Sequence, residues 1–149
     1  MKTTNSYSKF CLILVLSFFS TILCATTAVA QYTPEKGSEE RKAIADALRV
    51  PVEKKLKQSV VFNIDHLKVQ DDWAFMLGAP RKAGGGKLDY SNTIYAEAQA
   101  AGMSDDNISA LLHKVRGRWT VVKYVLGATD VPYIGWDEQY RAPSGIFPP

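Results

Sequence analysis

The chain is 149 residues long and 46% hydrophobic, with eighteen basic and fifteen acidic side chains and two cysteines. That length supports a single hydrophobic core. So small a charge excess excludes the broad electrostatic footprint of a nucleic-acid-binding protein.

The first thirty residues have the form of an export signal. Lys2 and Lys9 supply a positive start, Phe10 to Leu23 is an apolar run, and Ala28-Val29-Ala30 sets small residues before Gln31, where signal peptidase would cut. A membrane anchor is one rival, but the run is shorter than the ~20 apolar residues that cross a hydrocarbon core. Acylation at Cys24 is another, and there Leu23 stands where a lipid-transfer site prefers a small residue. Cleavage predicts a mature chain from Gln31 to Pro149, periplasmic or extracellular, with no stable membrane insertion. Removing Cys11 and Cys24 excludes a thiol nucleophile, a cysteine-bound metal and a disulfide framework. Removing Lys2 and Lys9 leaves sixteen basic against fifteen acidic residues, a net +1.

In the mature chain, Tyr32 to Gly37 reads as a lead-in, followed by Ser38 as a helix N-cap. Glu39 and Glu40 suit the positive end of the helix dipole, and Ile44, Ala47 and Leu48 share a face. Pro51 predicts a kink or a restart near Val50. Beyond it, Glu53 and Lys57 form a favourable pair, and Lys54, Lys55 and Lys57 read as a solvated helix face.

An internal echo then organises the chain. Lys68-Val69-Gln70-Asp71-Asp72-Trp73-Ala74-Phe75 matches Lys114-Val115-Arg116-Gly117-Arg118-Trp119-Thr120-Val121. Each copy is an apolar-rich segment, a polar turn and a Trp opening a second alternation, which predicts two like β-hairpins. In the first, Val60, Phe62 and Ile64 alternate before the phase shifts to Leu67 and Val69, so a bulge is expected near Asp65-His66. In the second, Ile108, Leu111, Leu112 and Val115 also have helical spacing; the echo with Phe62 to Val69 and the Arg116-Gly117 turn select strand. Between the hairpins, Ala83-Gly84-Gly85-Gly86 marks a flexible loop, and the alanines of Thr93 to Gly102 suit a short helix or an irregular crossover.

Gly127 ends the last strand, and Thr129 or Asp130 is placed to cap a final helix. Tyr133, Trp136 and Tyr140 follow at helical spacing, as one aromatic stripe that either packs on the sheet or forms a ligand platform. Residues 31–149 are thus expected to form one α+β domain. Its N-terminal helix packs on a curved antiparallel sheet of two hairpins, and a short helix ends the chain.

The order Asp105-Asp106, Ala110-Leu111-Leu112, Gly117-x-Trp119-x-Val121, Gly127-x-Thr129-Asp130-Val131, Trp136 and Tyr140, together with Arg41-Lys42-Ala43-Ile44 and Trp73-Ala74-Phe75, resembles a group of small exported bacterial proteins of uncharacterised activity. The resemblance spans most of the mature chain. It implies a helix against a curved sheet, similar in outline to cystatin-like or NTF2-like folds, and it carries over no catalytic motif.

The chemistry-bearing residues are few. His66 and His113 fall one place apart in the echo and are expected on opposite sides of their hairpins. Asp65 and His66, as strand neighbours, point apart unless the bulge redirects one. Ser91, Ser104 and Ser109 lack a nucleophile context. Asp71-Asp72 and Asp105-Asp106 offer carboxylates, but as turn and capping residues without the spacing of a calcium loop. The Arg81 to Lys87 segment lacks the ending of a P-loop. Neither a metal nor a cofactor is expected.

Three functions fit. The first is a non-catalytic envelope protein that binds a partner protein or small ligand through Tyr133, Trp136 and Tyr140 and the basic loop with Arg81, Lys82 and Lys87. The second is a small enzyme with a pocket between helix and sheet, using Asp65, His66 or Asp130. The third is an inhibitor or immunity-type protein that inserts Ala79 to Leu88 into an envelope enzyme. The first is the leading reading.

Overall fold

Ser38 starts the first helix in the computed structural model of the chain, which describes residues 30–149. The expected export signal lies outside the described residues, apart from Ala30 at its boundary. The Ser38 hydroxyl accepts from the Arg41 backbone N–H at 3.2 Å, capping helix α1 (Glu39–Leu56). Ile44, Leu48, Val52 and Leu56 form its buried stripe, each such side chain stabilising by about 1.5–3 kcal/mol. The same stripe corrects one expectation. Because Val52 and Leu56 continue the i, i+4 row begun by Ile44 and Leu48, packing carries α1 through Pro51 as one helix, so of the kink or restart expected near Val50 the restart does not occur. Glu53 does not pair with Lys57: its carboxylate accepts from the Val60 N–H at 2.9 Å, while Arg49 Nε donates to the Val60 carbonyl at 3.0 Å. Together they fix the chain as it leaves the helix for the sheet.

The sheet is a four-stranded antiparallel meander in chain order, β1 (Val61–Gln70), β2 (Trp73–Arg81), β3 (Ile108–Val115) and β4 (Arg118–Leu126). Both hairpins turn on two left-handed residues, Asp71 and Asp72 at φ 48° and 63°, then Arg116 and Gly117 at 51° and 76°. Turns of this hand match the twist of the strands they join. The expected bulge is present, since the β1–β2 register shifts between Ile64 and His66. A second shift, between Leu111 and Leu112, leaves Val122 as the extra residue of β4. At Gly78, opposite the first bulge, a Cβ would collide with the Asn63 carbonyl, so only glycine lets the two strands approach.

Both sheet faces are covered. One carries α1 over Leu67, Val69, Ala74, Met76, Ala110, Leu112 and Trp119; the other carries the C-terminal tail over Phe75 and Leu111. That double cover explains why β3 reads like a helix in sequence. Ile108 to Leu112 are all buried, so their apolar run does not alternate.

Trp73 pairs with Gln70 on one side and His113 on the other, so neighbours across the two hairpins differ by 43 positions, while the echo repeats at 46. An odd slip of three residues turns equivalent side chains to opposite faces. It also corrects the histidines, which share the tail face: His66 meets the edge of Phe75 at 6.0 Å, and His113 stacks on Trp73 at 4.2 Å.

Between the hairpins lies only a short helix, α2 (Ala96–Ala100). The final helix, α3 (Trp136–Tyr140), starts at Gly135 and is shorter than expected. Neither Thr129 nor Asp130 caps it, and Tyr133 lies before it. A turn of 3-10 helix at Ser144–Ile146 ends the tail, where the Ile146 carbonyl meets His66 Nε2 at 2.8 Å.

Candidate functional site

Lys114 and Trp119 stand directly opposite each other on β3 and β4, pointing to the α1 face at the end of the sheet that carries the two hairpin turns. A short turn between them makes contact unavoidable, and the Lys114 ammonium lies 5.4 Å above the indole. The first turn of α1 brings Glu40 to the same place. Lys114 Nζ donates to Glu40 Oε1 at 3.3 Å, and the Tyr32 hydroxyl donates to Glu40 Oε2 at 2.8 Å. Tyr32 is held there by a bridge to the edge of β1, its N–H and carbonyl both bonded to Val69 at 2.9 and 2.8 Å.

These side chains, with Val69, Asp71 and Asp72, line an open cleft of about 440 Å³. Partial burial, then the Glu40 carboxylate, pushes the Tyr32 phenol up to about 12. It therefore remains a hydrogen-bond donor at physiological pH. The cleft offers two carboxylates at its turn, a third shared between a phenol and an ammonium, and an indole below. Such a surface can orient a polar ligand by hydrogen bonds; its phenol stays protonated at neutral pH and so cannot accept a proton there as a base.

A second open cleft, of about 460 Å³, runs between the lead-in and the outer edge of β1. Asp65 and His66 line it with Arg41, but His66 turns its Nε2 to the Ile146 carbonyl. Asp130, between β4 and the tail helix, lines neither cleft.

The residues singled out from sequence are placed differently. Trp136 is only 4% exposed, packed edge-on to Phe75 at 6.2 Å and to Tyr140 at 6.3 Å. Tyr133 and Tyr140 are half-buried in the same cluster. Trp136 therefore chiefly covers the second sheet face, while Tyr133 also lines an open cleft of about 220 Å³ with Phe147.

Arg81 and Lys87 are brought together by Asp106, which lies 3.5 and 3.7 Å from their charged nitrogens. Asp106 thus joins two chain segments rather than capping a helix. Tyr90 belongs to this group as well: burial, reinforced by the Asp106 carboxylate, pushes its phenol up to about 12. Lys82 is exposed and does not join them. The Asp71-Asp72 and Asp105-Asp106 pairs lie at opposite ends of the sheet. Among the described residues, no group of three or more His, Cys, Asp or Glu is placed to hold a metal ion. Nor is any described helix long and apolar enough to cross a membrane.

Sequence reasoning missed Tyr32, Glu40, Lys114 and Trp119. The last two were within reach, because residues that flank a two-residue turn symmetrically must pair across the strands. Tyr32 and Glu40 carry no local signal, since only the docking of lead-in and helix brings them there. No family model, no curated protein and no solved structure matches the chain.

Proposed function

We propose that this chain is an exported, non-catalytic binding or accessory protein of the cell envelope, holding a small ligand or a segment of a partner in the cleft around Glu40. One observation carries the reading. Four separate chain segments, at Tyr32, Glu40, Asp71-Asp72 and Lys114 to Trp119, converge on one open cleft with polar groups beside an indole. Export rests on the leader-like sequence of the first thirty residues.

The Tyr32 phenol suits binding rather than proton transfer. An acid or base suited to neutral pH titrates near it, whereas the phenol here is driven away to about 12 by burial and by Glu40. Its lasting proton suits recognition.

The test is a thermal-shift screen of the mature protein against fractionated small molecules from envelope extract, repeated with Glu40→Gln and Lys114→Met. A stabilising fraction that loses its effect in both variants supports the cleft. One that stabilises wild type and both variants equally moves the site elsewhere.

A further inference from the structure

The segment after β2 is built as a projection. Gly85 N–H bonds to the Lys82 carbonyl at 2.7 Å and Lys82 N–H to the Gly86 carbonyl at 2.9 Å, which closes the loop on itself. Gly85 adopts φ 87°, a conformation that glycine tolerates and other residues rarely do. Beyond this closure, Gly84, Gly85 and Gly86 have nothing within 4 Å of where a Cβ would stand. From Gly84 to Gly86 the tip is exposed backbone without side chains, so it is as thin as a closed turn can be.

Its base is braced. The Asp106 carboxylate lies between Arg81 on one leg and Lys87 on the other, at 3.5 and 3.7 Å. Asp106 and Asp89, the latter held low by its hydrogen bonds with Ser91 and in smaller part by Lys82, against Arg81, Lys82 and Lys87 still leave one positive charge in excess, and Lys87 remains 85% exposed. Below the turn, an open cleft of about 330 Å³ lies between Arg81, Gly85 and the start of β1 at Val61, Phe62 and Asn63.

We infer that the Lys82–Gly86 turn is a docking finger that enters a narrow acidic slot on an envelope protein. The inference rests on the binding reading above and names the partner's chemistry. A thin backbone tip suits a slot that side chains would block, and bracing removes the ordering cost a free loop would meet on binding. Flanking lysines supply complementarity and steer the encounter. A lipid surface is disfavoured, because the tip carries no large apolar or aromatic side chain to anchor in it, Ala83 offering a single methyl.

The experiment uses the full chain in its own cell, with a photo-crosslinking residue at Ala83 in one strain and at Glu39, beside the first cleft, in another. From Ala83 we expect one protein adduct whose crosslinked peptide is rich in Asp and Glu. That adduct should fall roughly tenfold in Lys82→Gln, Lys87→Gln, with an unchanged melting temperature, and persist in Lys82→Arg, Lys87→Arg. An adduct insensitive to the charge change, one on a peptide without acidic residues, or one with lipid or an anionic polymer overturns the finger. Adducts from Glu39 alone, or none from either position, would sink the finger, and the cleft, which can hold a small ligand that yields no protein adduct, is then decided separately by the thermal-shift screen.

Discussion

Trp73 and Trp119 open the return strands of two like hairpins and lie on opposite faces of one sheet. Trp119 is 8% exposed in the core beneath α1, whereas Trp73 is half-buried and stacked on His113 under the tail. Substitution should therefore separate them. Trp119→Ala is expected to destabilise by about 3–5 kcal/mol, as for a buried aromatic, and Trp73→Ala by about half that. Urea unfolding followed by far-UV circular dichroism measures both, and equal losses would contradict the assignment to different environments.

Trp136 is a packing group, so Trp136→Ala should cost about 3–5 kcal/mol. Ile134 is 80% exposed two residues away, and Ile134→Ala should change stability by no more than about 0.5 kcal/mol. Folding of Trp136→Ala at wild-type stability would return the stripe to the list of contact surfaces.

Glu40 links Tyr32 to Lys114, so Glu40→Gln should lower the Tyr32 phenol from about 12 part of the way toward 10.0, because burial remains as the larger cause. Ultraviolet titration of wild type, the variant and Tyr32→Phe isolates that phenol. A complete return to the ordinary value would mean that the carboxylate, not burial, holds the proton.

Alkaline stability follows from Tyr90, whose pKa rises from 10.0 in the unfolded chain to about 12 in the fold. Between those values the unfolded state has released a proton that the folded state still holds, so stability falls as pH rises. The contribution is complete below pH 10 and is lost as pH climbs through about 12. Urea midpoints taken across that range should fall less steeply for Tyr90→Phe than for wild type. Parallel slopes would remove Tyr90 from the account.

Local chemistry made much of the fold legible. Ser38, the Glu39-Glu40 turn and the Ile44–Leu48 face announce α1 because caps, dipoles and amphipathicity act within a few residues. The echo announces both hairpins because a two-residue turn between alternating segments has few other solutions. The restart expected at Pro51 did not occur, since the local penalty of proline was weighed without the four-residue stripe that carries α1 past it. The histidines misled for a related reason. Their facing depends on how one hairpin registers against the other, and a slip of a single odd step inverts it.

By itself, then, the sequence determined the leader-like start, the cysteine-free body, the helix and the paired hairpins, all properties of contiguous residues. Tertiary structure alone decided which face each Trp covers, that the aromatic tail lies over the second side of the sheet, and that Asp106 braces the legs of the glycine turn. It alone also gathered Tyr32, Glu40 and Lys114 in one cleft. Those relationships join residues up to 82 positions apart. They arise only when apolar faces dock, a process that local propensity does not encode.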